Sequence, residues 1–336
     1  MVKVLLTGGS GFVAAHVLET LLKRGYDVVT TVRSQEKGEH ILKDHSNVPK
    51  ERLSYVVVED IAKDGAFDEA IKSDPPFDYV IHTASPFHYK FTDPVTEVLD
   101  PAIKGTTGIL KAIKAFAPTV KRVVITSSFA AMLRDGNSVK VYDESVWGNI
   151  TWDEATGENK LATYRASKTI AERAAWDFVE KEKPNFDLTV INPPTVLGPI
   201  VHHLSSLSAL NTSNERIRDL IQGKYKDGNL PRSTIFLWID ARDVALAHVR
   251  AIEVAEAGGK RLFITAGHYS SKKIADTIRE THPELASKLP DNAEEDMPAD
   301  VYQYNNTLGR QVLGIGYRSF KETIADTVNS LIKLGA

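Results

Sequence analysis

Residues 3 to 14 read Lys3-Val4-Leu5-Leu6-Thr7-Gly8-Gly9-Ser10-Gly11-Phe12-Val13-Ala14, and the fold turns on this stretch. The run Lys3–Thr7 is short and nearly continuous in apolar residues, as in a strand buried on both faces. It passes without a linker into a glycine turn, and then into a helical periodicity carried by His16, Val17, Leu21 and Leu22. Strand, glycine turn and helix in immediate succession make a phosphate cradle. Gly8 permits the tight turn, Gly11 lets a pyrophosphate approach the helix N-terminus, and Ala14 is small enough for close helix–sheet contact. Gly105 and Gly108 repeat the spacing inside a helical run with no strand before it, so they carry no such expectation.

The same alternation continues for about 190 residues. Further β-rich runs stand at Asp27–Val32, Leu53–Val58, Asp78–His82, Arg122–Ser127 and Asp187–Asn192, with helix-like stretches at Phe12–Lys23, Ala66–Lys72, Val95–Phe116 and Tyr164–Lys181. Strands alternating with helices predict βαβ units, right-handed crossovers and a doubly wound parallel α/β sheet of the Rossmann kind. After Asn192 the rhythm loosens through Pro193, Pro194, Gly198 and Pro199. Two more strands (Ile235–Ile239 and Arg261–Thr265) flank a helix at Asp243–Ala255. Helices at Ser271–Thr281 and Phe320–Leu334 close the chain. The expected division is a nucleotide domain at 1–195 plus about 235–266, and a smaller interleaved substrate lobe at about 196–234 and 267–336.

A length of 336 residues with 42% hydrophobic and 25% charged residues describes an ordinary globular chain with a core large enough to need no staples. It contains no cysteine, which excludes disulfides, thiolate metal sites and a cysteine nucleophile, and fits a reducing, cytoplasmic setting. Charges of 41 and 44 give a net −3 with no long like-charge block, so neither nucleic acid nor a membrane surface is an expected partner. No apolar run approaches the length of a membrane helix. The expected assembly is a monomer or a homodimer.

The cofactor expected in the cradle is NADP(H). Where an NAD site places an acid at the end of the second strand, this chain has Arg33, with Lys37 as a second positive charge. Asp60 and Ile61, just past the third strand, are candidates to contact the adenine. The chemistry is expected at Tyr164 and Lys168, one helical turn apart, where an ammonium favours the phenolate and so eases proton transfer to a carbonyl oxygen. Tyr–x₃–Lys also occurs at Tyr269/Lys273 and Tyr317/Lys321. Only the first pair goes with a hydroxyl at the end of a core strand, Ser128 in Thr126-Ser127-Ser128, where it would stabilise charge developing on the substrate oxygen. His202 and His203 have no third ligand at metal spacing and read as a loop, so no metal is expected. Glu294-Glu295-Asp296 reads as a solvated loop, and Asp240 as a helix cap.

Together these motifs resemble an extended or intermediate short-chain dehydrogenase/reductase. The resemblance is to the branch of dihydroflavonol reductases and fungal NADPH-dependent carbonyl reductases of the methylglyoxal/isovaleraldehyde type. It spans essentially the whole chain through residues 7–13, His82-Thr83-Ala84-Ser85-Pro86, 126–128, 164–168 and 192–199. It implies Tyr164 as proton donor, Lys168 on the nicotinamide ribose and tuning Tyr164, and Ser128 polarising the carbonyl. It further implies cofactor contacts from Thr7, Ser10, Phe12 and Val13, from Thr83, Ala84 and Ser85, from Thr126, and from Pro193, Thr195 and Val196. The departures narrow the substrate. Leu133 replaces the asparagine of dihydroflavonol reductases, Ala162–Ala166 lacks the cinnamoyl-CoA reductase signature, and Phe129–Leu133 is apolar where sugar-nucleotide epimerases commonly carry Val-Tyr-Gly, so the expected partner is a small hydrophobic carbonyl substrate. A hydrophobic wall of Phe87, Phe129, Leu133 and Val201 is expected. Two alternatives stay open: an epimerase or dehydratase with no net redox change, and a non-enzymatic NADPH sensor.

Overall fold

The structure is a computed structural model that describes residues 2–85, 91–134 and 138–336. The strands are β1 (Lys3–Thr7), β2 (Asp27–Val32), β3 (Leu53–Val57), β4 (Tyr79–His82), β5 (Arg122–Thr126), β6 (Val141–Tyr142), β7 (Asp187–Asn192), β8 (Thr195–Leu197), β9 (Leu237–Asp240), β10 (Lys260–Phe263), β11 (Gly267–His268) and β12 (Gln303–Tyr304). The helices are α1 (Phe12–Lys23), α2 (Gln35–Asp44), α3 (Asp100–Phe116), α4 (Trp152–Thr156), α5 (Lys160–Glu182), α6 (Thr212–Ile221), α7 (Ala241–Glu253), α8 (Ser271–Thr281), α9 (Thr307–Leu313) and α10 (Phe320–Lys333). No helix among the described residues is long and apolar enough to cross a membrane.

Seven strands form one parallel sheet in the order β10-β7-β5-β4-β1-β2-β3. The chain winds outward from β1 in one direction through β2 and β3, and in the other through β4, β5, β7 and β10. The order therefore reverses between β1 and β4, which opens a crevice at the carboxyl ends of those strands. The two-residue period of a strand splits the core cleanly. Val4 and Leu6 join α1 and α7 on one face, while Leu5, Val80, Val123 and Val190 join α3 and α5 on the other. Both faces are covered, which is why these strands read as unbroken apolar runs.

A second core gathers Leu197, Ile217, Trp238, Tyr269, Ile274, Ile278, Ile324 and Val328 around the small sheet β11-β9-β8 and helices α6, α8 and α10. Here the sequence reading needs correction. The strand expected from Ile235 pairs with β8 and β11 in the small sheet, not with the nucleotide-binding sheet. Only β10, beyond α7, returns to the large sheet, against β7. The stretch Ala66–Lys72, expected to be helical, is a chain of turns fitted between Gly65 (φ +72°) and the pair Pro75-Pro76. It still buries Phe67, Ala70 and Ile71. Helix α2 escaped the periodicity because its buried positions are only Gly38 and Ile41. Its one local signal is Ser34, whose side chain caps the helix by accepting from Lys37 N.

Candidate active site

At the switch point the glycine loop takes the shape its composition allows. Gly8 has φ +77°, and a Cβ on it would sit 3.1 Å from the Ala84 backbone, so the β1 and β4 loops touch there. Gly9, to which the sequence reading gave no role, tolerates no side chain at all: a Cβ would lie 2.0 Å from Thr30 Oγ1. Helix α1 opens at Gly11 with no side-chain cap and no acidic residue in its first turn. Its first amide N–H groups therefore face the cleft with the positive end of the helix dipole behind them, as a pyrophosphate requires.

Thr7 does not face that cleft. It is fully buried, its hydroxyl meets His82 Nδ1 (2.8 Å), and it accepts from the N–H groups of Thr83 (3.2 Å) and Ala84 (3.1 Å). The residue ties β1 to the end of β4 and shapes the loop from behind. This corrects its expected role as a cofactor contact. His82 in turn is neutral, lowered to about 3 by burial and then by the nearby charge of Lys168.

A cleft of about 1120 Å³ runs from this loop to the smaller lobe. Ser10, Phe12 and Val13 line it, with Arg33, Lys37, Asp60 and Ile61 on the β2–β3 side, and Thr83, Ala84, Ser85 and Thr126 at the strand ends. Arg33 and Lys37 are exposed neighbours. The Lys37 ammonium is held below the ordinary lysine value, first by burial and then by Arg33, so two cations stand together as a phosphate monoester would need. Thr126 is oriented by His248, whose Nε2 lies 2.6 Å from its Oγ1.

Ser128 and Tyr164 both line the cleft. Ser128 caps a short 3-10 turn, Phe129–Ala131, accepting from Ala130 N (3.1 Å). That bond uses a lone pair and leaves the hydroxyl proton to donate into the cleft, so one serine serves as turn cap and as donor. Tyr164 sits in the second turn of α5, because the helix begins at Lys160 rather than at the tyrosine. Lys168 is one turn further on, with Nζ 5.9 Å from the Tyr164 ring centre and 2.9 Å from Ser85 Oγ. Burial lowers the Lys168 ammonium to about 8, and the Glu172 charge opposes the shift.

Glu172 is the residue the sequence reading missed. It is buried (2% exposed) and accepts from Ser127 Oγ (2.5 Å), Asn192 Nδ2 (2.8 Å) and Arg261 Nε (2.5 Å). Asn192 Nδ2 also reaches the Ser128 carbonyl (3.2 Å). One carboxylate thus fixes the strand end that carries Ser128 and supports the charge on Lys168. Its signal in the sequence is an acid one turn after Lys168, on the buried side of the same helix. The other two Tyr–x₃–Lys pairs are separated by their surroundings. Lys273 Nζ turns to His268 O, and Lys321 Nζ pairs with Glu280.

The expected hydrophobic wall is only partly there. Val201 lines the cleft and is exposed. Phe129 does not face it: at 0% exposure its ring packs against Tyr142 (4.9 Å) and Phe263 (5.3 Å), because the short turn directs it inward. Leu133 packs on the same cluster, and Phe87 lies outside the described residues. Pro193 is buried with its carbonyl bonded to Phe129 N, and its neighbours Pro194, Thr195 and Val196 face the cleft instead. His202 and His203 also face it. His203 stacks on His40 at 3.7 Å, and His202 lies 6.0 Å from Phe12, its pKa lowered to about 4 chiefly by burial. Apolar lining comes from Leu161, Leu204, Ile235 and Ile274.

A doubly wound parallel sheet, a glycine cradle at its switch point and a Tyr–Lys pair at the same cleft define a Rossmann-fold enzyme of the extended short-chain dehydrogenase/reductase class. The chain belongs to the NAD dependent epimerase/dehydratase family, whose model matches residues 4–267. It is 54% identical over 332 residues to a ketoreductase of Aspergillus niger, azaE, with 98% of each chain covered. It is 35% identical over 344 residues to the NADPH-dependent methylglyoxal reductase GRE2 of Saccharomyces cerevisiae, again covering 98% of each. The crystal structure of Gre2 from Candida albicans in complex with NADPH superimposes with a TM-score of 0.93 at 35% identity, over 100% of both chains.

Proposed function

We propose that this protein is an NADPH-dependent carbonyl reductase that converts a small, largely apolar ketone or aldehyde to the alcohol. The observation that carries the reading is the convergence of Ser128 and Tyr164 on the cleft that begins at the glycine cradle, with the Lys168 ammonium buried beside the tyrosine ring. The residues present fit NADPH: uncapped amides at α1 for the pyrophosphate, Arg33 and Lys37 for the 2′-phosphate, and the strand-end residues Thr83 to Ser85 beside the nicotinamide half.

NADPH bound there supplies the hydride that the carbonyl carbon accepts. The protein manages the oxygen. The Ser128 hydroxyl donates a hydrogen bond to it and stabilises the negative charge that develops as the carbon–oxygen double bond opens. The Tyr164 hydroxyl transfers its proton to the same oxygen, completing the alcohol, and Lys168 stabilises the phenolate left behind. Ser85, bonded to Lys168 Nζ, links that ammonium to the cleft surface.

The test is NADPH consumption with simple ketones and aldehydes, in the native protein and in Tyr164→Phe. Turnover in the native enzyme and a loss of about 10²–10⁴-fold in the variant, with NADPH affinity retained, is the expected result. Undiminished reduction by the phenylalanine variant would falsify the assignment of the proton donor. Tight NADPH binding with no carbonyl reduced would favour a sensing role.

A further inference from the structure

Arg216 stands on α6, on the lobe side of the cleft, among Thr234, Ile235, Tyr269 and Ile274. Its Nη1 donates to Ser233 Oγ (2.6 Å) and Ser271 Oγ (2.7 Å). Among the described residues no carboxylate forms an ion pair with it, and its Nε and Nη2 make no hydrogen bond to protein. Its neighbours are treated differently: Arg218 pairs with Asp219, and Arg242 with Asp240 and Asp326. The Asp296 carboxylate feels the Arg216 charge, but it is already occupied. Its two oxygens accept from the backbone N–H groups of Ser233 (2.7 Å) and Ser271 (2.8 Å), the same serines whose hydroxyls hold Arg216. Asp296 is therefore no free loop acid, as its run of acidic neighbours led us to expect. It pins two segments so that their hydroxyls grip one edge of the guanidinium, while the other edge keeps its donors.

The position of this cation relative to the chemistry follows from its neighbour. Tyr269 is buried beside Arg216 and donates from its hydroxyl to Thr195 Oγ1 (3.1 Å). Thr195 begins β8 directly after the Pro193-Pro194 turn, at the carboxyl end of β7. The path Arg216–Tyr269–Thr195 thus leads back to the strand ends that carry Ser128. A partly buried cation whose neighbouring carboxylate is already taken up by two backbone N–H groups keeps hydrogen-bonding capacity for a ligand anion. The free edge, Nε with Nη2, has the planar fork that matches a carboxylate bidentately.

We infer that Arg216 forms an anion subsite, and that the carbonyl substrate is an oxo-acid whose carboxylate pairs with the free guanidinium edge. Its carbonyl lies at Ser128 and Tyr164, with an apolar segment in between. The inference rests on the reductase reading above and narrows its substrate class.

The experiment uses the full chain with NADPH and a series of methyl-ketone carboxylates of increasing chain length, each beside its neutral methyl ester. The native enzyme should favour the acid over its ester at the best length by about 10-fold or more in kcat/KM, as a charge-assisted pair predicts. In Arg216→Gln that ratio should fall to about one, and Arg216→Lys should restore part of it. A second readout is calorimetric binding of a saturated alkanoate to the NADP⁺ complex, which should weaken about 10-fold or more in the glutamine variant. The native series and alkanoate binding stand alone if that variant does not fold. An acid-to-ester ratio near one at every length, or an acid preference that survives Arg216→Gln, overturns the subsite and leaves the reductase reading intact. The same holds if simple ketones are reduced but no oxo-acid is. Failure of every carbonyl in the panel, simple aldehydes included, overturns the reductase reading itself.

Discussion

The two walls of the cleft are made from different parts of the chain. The sheet-side wall is built largely by backbone at the carboxyl ends of parallel strands, the Gly8–Gly11 turn, the residues after β4 and the serines after β5, with the side chains of Arg33 and Lys37 at its far end. The lobe-side wall is built by side chains arriving from α6, α8 and the loops around residues 201–213 and 234. A wall of backbone recognises what all dinucleotides share, whereas a wall of side chains can change residue by residue. The first wall therefore holds general chemistry and the second selects a substrate. That difference sets which substitutions should destroy catalysis outright and which should only redirect it.

After Tyr164→Phe, the largest effect is expected at the junction of the walls. Ser128→Ala removes a donor aimed at the developing oxyanion while leaving the strand end pinned by Asn192 and Glu172. It should lower kcat by about 10²–10³-fold with little change in NADPH affinity. A loss equally large in NADPH binding would mean that Ser128 is a structural cap after all, since among the described residues its hydroxyl bonds only Ala130 N. A smaller effect is expected at the far end of the sheet-side wall. Arg33→Ala should cut the preference for NADPH over NADH by about 10–100-fold, with Lys37 carrying the remainder. An unchanged ratio of the two cofactors' kcat/KM values would break the distinction, because it would mean that this wall reads only the shared pyrophosphate.

The comparison also explains what the sequence made legible. Strand ends and glycine turns are local: Thr7 to Ala14 and Thr126 to Ser128 each lie within a few residues, so composition and order reveal them. The errors lie where a position depends on a distant partner. Thr7 looked like a cofactor contact because it borders the cradle, yet His82 and Ala84 claim its hydroxyl from 75 and 77 residues away. Phe129 looked like substrate wall because it follows Ser128, yet Tyr142 and Phe263 draw it into a core. The strand at 237–240 looked like sheet because it is apolar, and nothing local says that β8 rather than β7 is its neighbour. Arg216 was invisible for the same reason, since its partners Ser233 and Ser271 lie on other elements. Gly9 could have been read, because two adjacent glycines after a strand imply an obstacle on each side.

The most delicate expected effect tests whether the two sides of the sheet end are coupled through Glu172. Among the described residues, the groups around Lys168 Nζ are the Tyr164 ring, Ser85 Oγ, the buried neutral His82 and the Glu172 carboxylate. Burial favours the neutral amine, so the ammonium is present below about pH 8 and lost above it. Reduction should accordingly fall as pH rises through that value, approaching about tenfold per unit once the amine dominates. Glu172 opposes the loss of that charge, so Glu172→Gln should move the alkaline limb to lower pH. The same substitution leaves Arg261 buried without its ion pair, a change that typically costs about 3–5 kcal/mol. Unfolding should therefore be monitored beside the profile. A destabilised variant whose alkaline limb stays in place would assign Glu172 to the architecture alone. A displaced limb in protein that is still folded would make it a positioning residue for the Tyr164–Lys168 pair.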